Sequence, residues 1–184
     1  MRGFLAQCLL CALALNVHWM DALADEKPLD MKQVINDLRS RDWHKRHGAL
    51  NAQCNYNPKV CTKEVRLAYM DALLIEAKDP EFEDADVEGG MLSGMIPVVA
   101  AFEDVEVIDV LLAPDVLGSG GTNMVIDGLL KFGDTAVDHI VNAYRSTKDI
   151  AYRSHLLFAA RRMYIESSAT PAGKQKLIDL FADA

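Results

Sequence analysis

The chain has 184 residues, 51% hydrophobic and 25% charged, which suits one ordinary folded domain once a leader is set aside. A formal net charge of −8 disfavours nucleic acid and anionic membranes as partners, because both repel an acidic surface.

The first residues read as a targeting segment. Arg2 gives a positive start, residues 4–15 form a short apolar core, and Ala22-Leu23-Ala24 fits a cleavage site. The apolar core is too short for a stable bilayer anchor. A lipoprotein at Cys11 is disfavoured by the bulky Leu10 before it. The expectation is export, periplasmic or secreted, with residues 1–24 removed and residues 25–184 forming the domain. Cys8 and Cys11 leave with the leader, so only Cys54 and Cys61 remain. Two close cysteines in an exported protein predict a disulfide, worth roughly 2–3 kcal/mol for so short a loop. A catalytic thiol needs a poised base, and the sequence identifies none.

Helical periodicity then recurs down the chain. Met31, Val34, Ile35 and Leu38 make one apolar stripe. Asp42 is placed to cap the next helix, which carries Trp43, Arg46, Ala49 and Leu50. Val65, Ala68, Tyr69, Ala72 and Leu73 mark a third, closed by Asp79-Pro80. An acidic connector over residues 81–88 leads into an apolar run over 91–102, interrupted by Ser93, Gly94 and Pro97 and too short for a membrane span. Val107, Ile108, Leu111 and Leu112 give a fifth helix, stopped by Pro114. Thr122 or Asn123 caps a sixth, with Val125, Ile126, Leu129 and Leu130 inward.

Residues 129–163 then read as one helix pair. Val137, Ile140, Val141 and Tyr144 line the first helix; Asp149 caps the second, which turns Ile150, Leu156, Leu157, Ala160 and Met163 inward. Tyr144, Tyr152, Phe158 and Tyr164 belong to the core and its rim rather than to a recognition stripe. A last helix over 171–182 follows, with Leu177, Leu180 and Phe181. No segment alternates with a two-residue period, so the fold is all-α.

Several constellations imitate sites. His44 and His47 lie one turn apart, but Lys45 and Arg46 repel a cation and no third ligand is in register. His139 and His155 stand singly on polar faces and read as solvated. Asp84, Asp86, Glu88 and Gly89 open like a calcium loop, yet Met95 occupies the twelfth position, where a bidentate Glu belongs. Residues 118–121 are glycine-rich but lack both a preceding strand and the Gly-Lys-Ser/Thr ending of a phosphate loop. No metal, cofactor or catalytic residue is therefore assigned.

One pattern occurs twice. Asp42, Trp43, Arg46 and Ala49 match Asp149, Ile150, Arg153 and Leu156 in spacing: Asp, a bulky apolar residue, Arg four positions on, then apolar packing. Asp is expected to cap the helix while Arg faces that Asp or the cap of a neighbouring helix. This pattern resembles the second helix of HEAT-like (armadillo-type) repeats, and Phe132-Gly133-Asp134 within residues 129–137 looks like the entry to the repeat's first helix. The two Asp positions stand 107 residues apart, room for three repeats of roughly 36 residues. The resemblance implies a short right-handed α-solenoid of about four helix pairs with a C-terminal capping helix, in which Asp42, Arg46, Gly133, Asp134, Asp149 and Arg153 are structural. It also implies a protein-binding or scaffold module without catalytic activity. Between Asp79 and Leu130 there are twelve carboxylates and no Lys or Arg. Glu81, Glu83, Asp84, Asp86 and Glu88 are the candidate contacts for a basic segment of a partner protein. A divalent-cation-binding or hydrolytic protein using the acidic 79–115 region is the alternative.

Overall fold

In the computed structural model, residues 30–50, 61–78 and 91–184 are described. Ten α-helices and one 3₁₀ turn carry these residues, with no strand among them. They are α1 (Met31–Leu38), α2 (Trp43–Leu50), α3 (Lys63–Ala77), α4 (Met91–Ala100), α5 (Glu106–Leu111), α6 (Pro114–Leu117), α7 (Thr122–Leu129), α8 (Asp134–Ser146), α9 (Ile150–Glu166) and α10 (Pro171–Ala182).

Local chemistry explains most boundaries. Thr62, Asp149 and Thr170 each accept a backbone N–H bond from three residues on, satisfying donors that a helix start leaves orphaned. Asp42 accepts the His44 N–H at 3.0 Å in the same role. Pro114 does not merely stop a helix: α5 ends at Leu111, and Pro114 opens the short α6 at its first position, where its missing N–H costs nothing. α7 begins without a side-chain cap, because Gly121 rather than Thr122 or Asn123 holds the cap position; the Thr122 hydroxyl donates backward to the Leu117 and Ser119 carbonyls. Gly133, just before α8, has φ +51°, a region that favours glycine.

The helices pack in order. α1 lies on α2 and α3; α3 on α4, α5 and α6; α4 on α5 and α7. α5 lies on α7 and α8, α6 and α7 on α9, and α10 closes on α8 and α9. One series of contacts thus runs α1, α3, α5, α8, α10, and a second runs α4, α7, α9. A continuous apolar cluster from Val34 to Leu180 fills the space between them. At the α4–α7 crossing the backbones come close: a Cβ on Gly128 would stand 2.8 Å from the Ala100 Cβ.

Some side chains depart from the sequence expectation. Ile150 is 84% exposed rather than inward, Leu157 and Leu130 are half-buried, and Phe181 is exposed. Ile150 is the first residue of α9 and falls opposite its buried face of Leu156, Ala159, Ala160 and Met163. Trp43 is exposed too, stacking on His44 at 4.0 Å.

Candidate functional site

The acidic middle of the chain divides in two. Asp79, Glu81, Glu83, Asp84, Asp86 and Glu88 lie outside the described residues. Of the six others, Asp104, Glu106 and Asp127 meet an Arg or Lys of a different helix, and Asp109 meets a histidine. Asp104 lies 2.7 Å from Arg66 Nε, a Coulomb pair without an aligned N–H, while Arg66 Nη1 donates to the Cys61 carbonyl. Glu106 lies 3.7 Å from Lys63, and Asp127 accepts from Arg162 at 2.9 Å. Asp109 lies 2.7 Å from His139 Nδ1. Charge segregated along the sequence is thus folded into contacts between segments distant in the chain. Exposed pairs of this kind are worth about 0–1 kcal/mol each and dissipate much of the acidic field. His139 is therefore paired rather than simply solvated.

Beside that last pair is an open cleft of about 410 Å³, between α5–α6 and α8–α9. Leu112, Ala113 and Pro114 supply an apolar wall; Asp109, His139, Asn142 and Tyr152 supply polar edges. The Tyr152 hydroxyl donates to the Leu112 carbonyl, tying α9 to the end of α5. Burial, reinforced by the Asp109 charge, raises the Tyr152 pKa, so the phenol stays protonated as a donor. The carbonyl ends of α5 and α8 both reach the cleft, and a helix C-terminus carries partial negative charge. No Lys or Arg lines it, and the Asp109 side chain is 73% exposed. The site therefore suits a cationic guest with an apolar stem. Ser146, two turns from His139 on α8, donates to the Ala143 carbonyl. Among the described residues no three His, Cys, Asp or Glu side chains gather to hold a metal.

Asp42 and Asp149 cap their helices as expected, while the two arginines of the pattern take other partners. Arg46 does not face Asp42. Its Nε donates to Glu76 Oε2 on α3 at 2.6 Å and its Nη1 to the Ser40 carbonyl at 2.7 Å, with both charged side chains 0% exposed. Asp42 points along the axis to cap α2, whereas Arg46, one turn on, faces the interior. Nearby, the Tyr69 hydroxyl reaches the Ala49 and Leu50 carbonyls at 3.4 and 3.5 Å, and burial pushes its pKa up to about 12. Arg153 likewise leaves Asp149 to its capping role and lies 4.2 Å over the Tyr144 ring, joining α9 to α8. Cys61 is buried, and Cys54 lies outside the described residues.

Asp134 joins α8 to α10. Its carboxylate accepts the Thr170 N–H at 2.8 Å and the Thr170 hydroxyl at 2.6 Å, placing an anion at the α10 N-terminus. Gly173 makes room, since a Cβ there would fall 2.3 Å from Asp134 Oδ1. The two Thr170 bonds hold the Asp134 pKa below its ordinary value. A carboxylate with a depressed folded pKa stabilises fully above its unfolded pKa, near ~3.9, and loses that stabilisation as pH falls through the folded value. Asp134→Asn is therefore expected to melt below wild type at pH 7, with the gap closing below about pH 4. A gap constant from pH 7 to pH 2.5 would show that the charge plays no part.

No family model, curated protein or solved structure matches this chain.

Proposed function

We propose that the protein is an exported module of HEAT-like helix pairs, forming a short right-handed α-solenoid closed by α10, and that it binds a basic segment of another protein. What supports the architecture is the order of packing, in which first helices α1, α3, α5 and α8 touch in series and each pair lies against the next in sequence. What supports the partner chemistry is the cation-attracting cleft at Asp109, His139 and Tyr152. The residues 81–88 are a second source of attraction by composition alone. Export accords with the leader-like start, and no helix among the described residues is long and apolar enough to cross a membrane.

The test is binding of a set of cationic peptides, by fluorescence anisotropy, to wild type, to Asp109→Asn, and to a variant with Glu81, Glu83, Asp84, Asp86 and Glu88 neutralised. Wild type should bind more tightly than either variant at low salt, with the three converging as salt screens the charge over a Debye length of ~10 Å at 0.1 M. Equal affinity of all three at low salt contradicts a basic partner. The cation-binding alternative predicts a large rise in melting temperature with added calcium, which the present proposal does not. The Cys54–Cys61 disulfide is part of the same proposal: unreduced protein in denaturant should contain no thiol from this pair, and two reactive thiols would rule the bond out.

A further inference from the structure

The cleft between α5–α6 and α8–α9 carries a titratable group at its edge, and the geometry fixes which atom of that group changes charge. His139 Nδ1 lies 2.7 Å from Asp109 Oδ1, and both residues line the cleft. An ionised carboxylate only accepts, so Nδ1 carries the proton of this bond. The second ring nitrogen, Nε2, is then the atom that gains or loses a proton when the imidazole titrates. With Nε2 bare, the Asp109–His139 pair holds one negative charge and offers a lone pair. With Nε2 protonated, the pair has no net charge and an N–H replaces that lone pair. The His139 side chain is 28% exposed, so water reaches the ring to deliver the proton.

Among the residues lining the cleft, only Asp109, His139 and Tyr152 carry titratable side chains. α8 packs on α5, α9, α10 and the 3₁₀ turn. From α5 the charge facing His139 is Asp109, while Glu106, one turn earlier, lies 3.7 Å from Lys63 of α3. From α9 the facing group is Tyr152, whose raised pKa keeps it neutral wherever imidazoles titrate. His155 lies beside Gly118 and Arg153 over the Tyr144 ring, both away from the cleft lining. From α10, Lys176 is held by Asp138, and Lys131 of the 3₁₀ turn lines no part of the cleft. On α8 itself, Arg145 lies 3.5 Å from Asp183. The charge at the cleft edge is therefore set by the Asp109–His139 pair.

We propose that His139 is a proton-operated gate on the cleft, which holds a cationic guest while the imidazole is neutral and releases it when Nε2 is protonated. The gate rests on the cationic-guest reading of the cleft and adds its regulation. The sign follows from charge. A guest cation meets one net negative charge with His139 neutral and none with it protonated, so affinity falls as pH falls. One unit charge about 4 Å away in water changes an equilibrium by a factor of roughly five. By linkage the guest and the proton oppose each other equally, so binding must expel a proton.

The test uses a lysine-rich peptide without His, Asp or Glu, blocked at both ends so that its own charge stays constant. Its affinity is measured by anisotropy at low salt, at about pH 8 and about pH 5.5, an interval over which histidines change charge. Wild type should bind about fivefold more weakly at the lower pH. His139→Gln keeps the Asp109 carboxylate but cannot protonate, and should lose most of this dependence, with unchanged helicity by circular dichroism. Calorimetry at about pH 6.5 in two buffers of different ionisation enthalpy should show proton release with wild type and little with His139→Gln. A purely structural His139 would not move that readout. Equal pH dependence or equal proton release in the two proteins would overturn the gate and leave the cleft reading intact. No binding by wild type at the higher pH, or Asp109→Asn binding as tightly as wild type there, would overturn the cleft reading and the gate with it.

Discussion

Arg46→Ala is expected to cost about 3–5 kcal/mol of folding stability, a large share of the roughly 5–15 kcal/mol that a domain possesses. The reason is dielectric. Both members of the Arg46–Glu76 pair are fully buried, so removing the guanidinium strands a carboxylate away from water and also strips the Ser40 carbonyl of its donor. Removing both charges is a different experiment. Arg46→Met with Glu76→Leu replaces a pair that had paid its own desolvation cost, and is expected to leave stability within about 1–2 kcal/mol of wild type. Urea titration of the three proteins checks both statements. A single mutant as stable as wild type would mean that water reaches Glu76.

Leu111→Ala is expected to cost about 2–5 kcal/mol, the range for emptying a well-packed leucine site. Leu111 is 0% exposed on α5, a six-residue helix that touches α3, α4, α6, α7 and α8. The site cannot easily collapse, because the Leu111 side chain lies against Gly128, where α7 already packs closely on Ala100 of α4. The contrast is Val105, 53% exposed just before α5, whose replacement by Ala should change stability by less than about 0.5 kcal/mol. Equal effects at the two positions would contradict the packing described for α5.

The sequence carried the helices more clearly than their contacts. Val137, Ile140, Val141 and Tyr144 announced the buried face of α8 because periodicity is a local property, and all four are buried. Asp149 was readable as a helix start for the same reason. What escaped depends on distant neighbours. Glu76 lies 30 residues from Arg46, so nothing in the Asp-to-Arg spacing could reveal that the arginine turns away from its own cap. Asp109 and His139 are also 30 residues apart; His139 read as solvated, and Asp109 only as one of twelve carboxylates. The twelve carboxylates suggested an exposed acidic band, yet three of the six described ones, Asp104, Glu106 and Asp127, are met by Arg or Lys from other helices. Composition reports how many charges a segment holds and not which of them the fold neutralises. Ile150 was visible as an apolar residue of α9 but was read as inward, because a helix that also exposes apolar residues gives no single inward direction.

The most direct measurement of the central claim, that helix pairs stack in series and couple mainly to their neighbours, is native-state hydrogen exchange by mass spectrometry on wild type and Leu177→Ala. Leu177 is fully buried on α10, which packs on α8 and α9. In a serial array the lost packing should accelerate exchange in α8, α9 and α10 while α1, α2 and α3 exchange as in wild type. An equal acceleration in all helices would mark one cooperative core and contradict the stacked-pair account.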